Sequence, residues 1–93
     1  MGLNEQQIGQ PLVGVASCWN EAAPCNISLM RQAQSVRRGV AAANGTPREF
    51  CTITVTDGIA MGHQGMKASL VSRECIADSV ELTMRGHCYD ALV

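Results

Sequence analysis

Apolar residues along this chain fall into short runs and longer periodic stretches, and the two kinds alternate. The run from Pro11 to Ser17 is rich in valine and has the length of a buried strand. From Ile27 to Ala43 the apolar residues recur every three or four positions, which predicts a helix; they are Leu29, Ala33, Val36 and Val40. We expect Asn26 to cap the start of this helix, and Asn44 and Gly45 to end it.

The second half of the chain repeats this alternation. Phe50 to Thr56 is β-branched and apolar, which predicts a strand ending at Asp57 before a glycine-rich loop. A second helix is predicted from about Ser69 to Gly86, because apolar residues recur four apart on one side; they are Ile76, Val80 and Met84. Ala91 to Val93 has the composition of a third strand.

The element order predicts the fold class. Strand, helix, strand, helix and strand in succession (βαβαβ) indicate an α/β fold with a partial parallel sheet covered by helices. Right-handed crossovers bring the loops after the strands to one edge of the sheet, so the loops that contain Cys25 and Asp57 meet there. The chain stops within an apolar segment, and we therefore expect residues 1–93 to be part of a larger domain.

Composition and charge exclude several classes of partner. Of the 93 residues, 46% are hydrophobic but only 3% are aromatic, so the core is expected to be small. A net charge of −1 gives no electrostatic basis for binding nucleic acid or an anionic membrane. No apolar run approaches the roughly 20 residues that span a bilayer. Without the features of a signal peptide, we expect a cytoplasmic protein, or an organellar one after processing.

The five cysteines are odd in number, irregularly spaced and without a CxxC pair, so a disulfide framework is not expected. Four of them are interpreted as small buried apolar residues; they are Cys18, Cys51, Cys75 and Cys88. Cys25 differs because it lies between Pro24 and Asn26, ahead of a predicted helix whose N-terminus favours the thiolate form. A thiolate binds iron or attacks electrophiles, although a half-buried inert thiol is the alternative.

Asp57 is the second candidate for chemistry. A carboxylate at the carboxyl end of a strand is suited to a hard cation such as Mg²⁺, and the alternative is an aspartate that only shapes a turn. The glycines of the following loop match neither the Walker A spacing nor GxGxxG, so a nucleotide site is not indicated. His63 could be a ligand, an acid–base group, a substrate contact or incidental, and Lys67 could meet an anionic substrate or solvent. His87 is expected to interact with the end of the second helix.

The amino-acid sequence resembles that of a known family over essentially its whole length. The segments that carry the resemblance are QPLVGVAS (Gln10–Ser17), WNEAAPCNISL (Trp19–Leu29), GTPREFCTITVTDGIAMGHQGMKASLVSRE (Gly45–Glu74) and IADSVELTMRGHCYDALV (Ile76–Val93). They are similar to the dihydroxy-acid and sugar-acid dehydratases. The PCN motif resembles the dihydroxy-acid members in particular, above all those with a [2Fe–2S] cluster.

The resemblance implies a hydro-lyase that converts 2,3-dihydroxy carboxylates to 2-keto acids in the synthesis of valine and isoleucine. In that chemistry an iron–sulfur cluster acts as a Lewis acid on the departing hydroxyl, and Mg²⁺ holds the carboxylate end of the substrate. By motif, Cys25 would be one cluster ligand and Asp57 one magnesium ligand. The parent enzyme would be a homodimer, and residues 1–93 a fragment of its N-terminal cluster- and metal-binding domain.

Two features limit what this segment is expected to do alone. Ser28 stands where the family usually has histidine, so any role of that histidine is absent here. The family's other cluster cysteines, the modified lysine, the glutamate and the serine base all lie downstream of the matched segment. A single cysteine cannot hold a cluster, so we expect residues 1–93 to catalyse nothing unaided. The alternatives are a fragment of a sugar-acid dehydratase acting on phosphogluconate or an aldonate, and a non-catalytic binding module.

Overall fold

A computed structural model describes all 93 residues and contains four helices and three strands. The helices are α1 (Glu5–Ile8), α2 (Leu29–Ala42), α3 (Asp57–Ala60) and α4 (Lys67–Gly86), and the strands are β1 (Leu12–Ser17), β2 (Thr46–Cys51) and β3 (Ala91–Leu92). Two 3₁₀ turns lie at Pro24–Asn26 and Gln64–Met66. The predicted α/β class is confirmed, and the one-turn helix α1 is an addition to the predicted order. No helix combines the length and apolar character needed to cross a membrane.

The three strands form one parallel sheet in the order β2-β1-β3. Leu12 pairs with Thr46 at the start of β1, and Ser17 pairs with Cys51 at its end. Pro47 is tolerated in β2 because that strand lies at the edge of the sheet, where one row of backbone groups needs no partner strand. The central strand β1 therefore supplies the register for the whole sheet.

The two long helices cover opposite faces of this sheet. The chain moves from β1 to one neighbour and then back past β1 to the other, and right-handed crossovers put successive helices on opposite sides. Val15 faces α2 across a small cavity that Leu29 and Ala33 also line. On the other face Gly14 lies against Met84 of α4, where an added Cβ would be only 2.7 Å from the sulfur. The predicted apolar side of the second helix thus faces the sheet.

The second strand is displaced from its predicted position. Phe50–Thr56 was the expected strand, but β2 ends at Cys51, and residues 52–56 have no regular structure. The strand β2 ends there because its partner strand β1 ends at Ser17, which pairs with Cys51. The backbone N–H of Thr52 still donates to the Ser17 carbonyl at 2.8 Å, and beyond it no neighbouring strand is available. β-Branched composition was therefore a poor guide to where pairing stops.

The start of α2 also differs from the prediction, whereas its end is confirmed. Asn26 does not cap the helix: Ser28 occupies that position, in a helical conformation and without a side-chain bond to the backbone. At the other end Asn44 adopts a left-handed φ of 62°, and the N–H of Gly45 donates to the Val40 carbonyl at 2.9 Å. This is the Schellman arrangement that Asn and Gly favour at a helix end.

The core is small, as the composition predicts. Nine residues are buried, and the buried apolar side chains are Val15, Ala23, Ala33 and Ala60. The radius of gyration is 15.3 Å, against about 12 Å for a compact chain of this length. The predicted burial of four cysteines is wrong: Cys18 is half-buried, and Cys51, Cys75 and Cys88 are exposed, since the small core leaves most of the surface of this chain in solvent. Large apolar side chains also remain exposed, among them Leu70 and Val71 on α4.

Candidate functional site

The loops after β1 and β2 lie at the carboxyl edge of the sheet. In open α/β sheets, ligands bind outside the carboxyl ends of the strands, where the strand order reverses. Here the reversal occurs at β1, since β2 lies on one side of it and β3 on the other. The loop from Cys18 to Ser28 follows β1, and the segment from Thr52 to Met66 follows β2. Cys25 and Asp57 are in these two loops.

A cleft of about 260 Å³ lies between the two loops. One wall comes from Asn20, Ala22 and Ala23, just before Cys25, and the other from the segment between Thr54 and Gly65. A larger depression of about 360 Å³ lies between α2 and β2, where Arg37 and Arg38 line it. It involves neither loop, and Arg37 already pairs with Glu49 at 3.3 Å. The smaller cleft is therefore the candidate site; Cys25 and Asp57 lie in the loops that border it but are not among the residues that line it.

Cys25 is the middle residue of the 3₁₀ turn Pro24–Asn26 and is exposed. Pro24 starts the turn with its fixed φ, and the N–H of Asn26 closes it on the Ala23 carbonyl at 2.8 Å. The helix α2 begins four residues after Cys25, so this thiol lies ahead of the helix, as predicted, but two residues farther from its start than the sequence suggests. The structure instead presents the sulfur on a separate, proline-initiated turn, without a hydrogen bond inside the chain.

Asn26 joins three parts of the site. Its side-chain Nδ2 donates to the carbonyl oxygen of Cys18 at 2.8 Å and to the sulfur of Cys18 at 3.2 Å. The same nitrogen lies 3.3 Å from Oγ1 of Thr54, in the segment that leads to Asp57. Asn26 is half-buried, and sequence reasoning missed this role because it assigned the residue to a local helix cap.

Asp57 is the first residue of α3, six residues after β2 ends, and not the residue that ends a strand. Its Oδ1 accepts a hydrogen bond from Oγ of Ser69, which is 8% exposed in the first turn of α4. Oδ2 has no partner within the chain. The carboxylate is therefore held on one side by a buried hydroxyl and is open on the other, which suits a hard cation.

His63 closes the glycine-rich loop on itself. The N–H of Gly65 donates to its Nδ1 at 2.9 Å, so Nδ1 is unprotonated. Nε2 then carries the hydrogen and donates to the Ile59 carbonyl at 2.7 Å. With both nitrogens bonded to backbone, the ring of His63 shapes the wall of the cleft. Lys67 is exposed at the start of α4, and Nδ1 of His87 lies 3.0 Å from the Thr83 carbonyl near the end of α4, as predicted.

The chain brings together no group of three or more His, Cys, Asp or Glu side chains with the spacing of a metal site. The donor chemistry nevertheless fits the implied groups residue by residue. Cys25 offers one thiol free of internal bonds, and Asp57 offers one carboxylate oxygen free of partners. Each would supply a single ligand, and the remaining ligands must come from elsewhere.

Comparison with known proteins gives one consistent family. The sequence model described as dihydroxy-acid/6-phosphogluconate dehydratase N-terminal matches residues 10–93. The chain is 89% identical over all its residues to dihydroxy-acid dehydratase 2 of Mesorhizobium japonicum, and 84% identical to the dihydroxy-acid dehydratase of Parvibaculum lavamentivorans. Identity to the dihydroxy-acid dehydratase of Metallosphaera sedula is 56%. The chain spans 16–17% of the length of these relatives. It belongs to the dihydroxy-acid/6-phosphogluconate dehydratase family and corresponds to part of that family's N-terminal domain.

Proposed function

We propose that this chain is part of a dihydroxy-acid dehydratase, a hydro-lyase that converts 2,3-dihydroxy carboxylates to 2-keto acids in branched-chain amino acid synthesis. The observation that carries the proposal is the cleft between the loops of Cys25 and Asp57, in a chain 89% identical to a relative of that name. Residues 1–93 provide one side of the site and do not catalyse by themselves. The domain assignment is the N-terminal, cluster- and metal-binding part of the enzyme.

Within this proposal each residue has one task. Cys25 donates its thiolate to a [2Fe–2S] cluster, and its exposed turn leaves the sulfur accessible. Asp57 offers Oδ2 to Mg²⁺ while Ser69 fixes the orientation of the carboxylate through Oδ1. When bound, the cluster and the Mg²⁺ supply Lewis acidity that stabilises the departing hydroxyl and orients the substrate carboxylate. Thr54 and His63 line the cleft between the two loops.

A sugar-acid dehydratase is the second candidate. The matched family includes 6-phosphogluconate dehydratases, and this keeps a phosphorylated sugar acid within the proposed substrate class. The relatives named above are all dihydroxy-acid dehydratases, which favours the smaller substrate. Comparing turnover of a branched 2,3-dihydroxy acid with that of 6-phosphogluconate separates the two candidates. By the same resemblance we propose a cytoplasmic homodimer, which sedimentation of the full-length protein tests.

The roles of Cys25 and Asp57 are tested in a full-length protein that contains this segment. Cys25→Ser should lower bound iron and sulfide, whereas Cys75→Ser, at another exposed cysteine on α4, should not. Asp57→Asn retains the acceptor for Ser69 but removes the charge, and it should weaken Mg²⁺ binding. Asp78→Asn makes the same change on the exposed surface of α4 and should leave Mg²⁺ binding unaltered. Equal effects within either pair would contradict the proposed ligands.

A further inference from the structure

The side chain of Asn26 makes bonds that no local role explains. Asn26 ends the 3₁₀ turn of Cys25, and its Nδ2 reaches back to Cys18 at the end of β1 and across to Thr54. The contact with Thr54 spans 28 residues of sequence and joins the loop after β1 to the loop after β2. The N-cap position of the helix that follows is Ser28, and Asn26 makes no bond to that helix. This amide therefore connects separate parts of the fold.

The chemistry of the contact requires an amide. All three partners are acceptors for the bonds in question: a carbonyl oxygen, a sulfur and a hydroxyl oxygen. An NH₂ group has two hydrogens to donate, whereas an aspartate of the same shape has none. Substituting Asp for Asn26 would thus place a carboxylate against the Cys18 carbonyl and would remove that bond, and the sulfur and the Thr54 hydroxyl could keep their contacts only by donating instead of accepting. Few other side chains combine that reach with two donors on one nitrogen.

The position of these bonds relates them to the site. Cys25 immediately precedes Asn26, and Asp57 follows Thr54 by three residues. No strand pairs with residues 53–56, so the sheet does not fix that segment. Val55 and Thr56, which follow Thr54, line the cleft. The Asn26–Thr54 hydrogen bond therefore connects the turn of Cys25 directly to the segment that leads to Asp57, and we call this bond the tie between the two loops.

We propose that Asn26 is a positioning residue that holds the turn of Cys25 against the segment leading to Asp57, so that the spacing between the loops of the two proposed ligands is fixed. The inference deepens the proposed function and rests on it for the consequences at the cluster and at Mg²⁺. Through this tie, a change at Asn26 alters the Mg²⁺ site although Asn26 touches neither Asp57 nor Ser69. A residue that only shaped its own turn would affect Cys25 alone.

The test compares Asn26→Asp with Asn4→Asp in a full-length protein that contains this segment. Both changes add one negative charge, but Asn4 uses its oxygen as an acceptor from the N–H of Gln7, and aspartate keeps that bond. Asn26→Asp should weaken Mg²⁺ binding, by less than the roughly tenfold to hundredfold typical of losing an outer-shell partner, because Asn26 bonds to no proposed Mg²⁺ ligand. The added charge alone would attract the cation, so a loss of affinity has the opposite sign from a simple electrostatic effect.

Thr54→Val provides a second variant that keeps the side-chain shape and removes the hydroxyl that accepts the bond from Asn26. It should weaken Mg²⁺ binding in the same direction as Asn26→Asp, and the double variant should lose less than the sum of the two single losses. Amide exchange in β1 reports whether each variant keeps the sheet. If Asn26→Asp fails to keep it, the Thr54→Val result decides alone.

The possible outcomes separate this inference from the proposed function. If Asp57→Asn weakens Mg²⁺ binding while neither Asn26→Asp nor Thr54→Val does, the proposed ligand stands and the positioning role is overturned. If Asp57→Asn has no effect on Mg²⁺ binding, the proposed ligand fails. The tie itself is then judged by exchange of the Asn26 amide, which is bonded to Ala23. Unchanged exchange in Thr54→Val would overturn it as well.

Discussion

Replacing Ser69 by alanine removes the hydroxyl that bonds the carboxylate of Asp57. Ser69 is 8% exposed, so its hydroxyl is fixed by the surrounding helix and donates to Oδ1 in a defined direction. Asp57 itself is exposed, and water can replace the lost donor. The variant therefore leaves no buried charge without a partner. The variant loses the fixed orientation of the Asp57 carboxylate. That orientation matters for binding Mg²⁺ but contributes little to the stability of the fold.

The expected magnitude follows from this geometry. Loss of a hydrogen-bonding partner of a metal ligand typically lowers metal affinity tenfold to a hundredfold, which is about 1.4–2.7 kcal/mol of binding free energy. The free energy of unfolding should fall by only about 0.5–1.5 kcal/mol, the usual net contribution of one hydrogen bond, and toward the lower end because Asp57 is exposed. Ser69→Ala should therefore reduce Mg²⁺ affinity more than it reduces the free energy of unfolding.

Ser72→Ala is the matched control for this experiment. Ser72 is also buried in the first half of α4, and its hydroxyl donates to the backbone carbonyl of Ser69 at 2.6 Å, not to Asp57. Both variants should lose similar stability in urea denaturation, but only Ser69→Ala should weaken Mg²⁺ binding measured by calorimetry on the full-length protein. If both variants weaken Mg²⁺ binding equally, the hydroxyl does not act through Asp57, and the reasoning is refuted.

Three further predictions concern the scaffold and the loop. Gly14→Ala would place a Cβ 2.7 Å from the sulfur of Met84, and should lower the free energy of unfolding by about 1–3 kcal/mol in urea; unchanged stability would contradict the packing of α4 on the sheet. Asn44→Ala should cost about 1–2 kcal/mol by circular dichroism, because φ is 62° there, whereas Asn44→Gly should cost nothing; equal losses would refute the strain argument. His63→Phe removes both ring bonds and should speed amide exchange at Gly65 with little change in melting temperature, and unaltered exchange there would show that the ring does not brace the loop.

Local patterns predicted the scaffold well because its elements are held by periodic apolar contacts. The side of α4 that contains Val80 and Met84 faces the sheet, as its spacing predicts, and Val15 faces α2. The end of α2 is also predicted correctly, because Asn44 and Gly45 are residue types that favour the backbone conformations found at helix ends. In each case the residues that determine the local structure lie within about one helical turn of each other, so the sequence alone is enough to predict it.

The boundaries of β2 could not be predicted in this way. Whether residues 52–56 join the sheet depends on where β1 ends, and that end is fixed about 35 residues earlier along the chain. Thr46 shows the same dependence at the other end of the strand: it is buried, and its hydroxyl donates to the Gln7 carbonyl in the N-terminal helix. A strand's composition indicates that it pairs, but its partner decides which residues do.

The contacts of the candidate site were the least predictable because they are single polar bonds between distant segments. Asn26 has a strong local preference for a helix cap, and only the fold reveals that its amide is used on Thr54 instead. Ser69 resembled an ordinary first-turn helix residue, yet its hydroxyl orients Asp57. The buried apolar side chains in these loops are the small ones of Ala23 and Ala60, so polar bonds contribute much of what holds the loops in place. Small polar substitutions should therefore change ligand binding at the cleft more than they change the stability of the sheet.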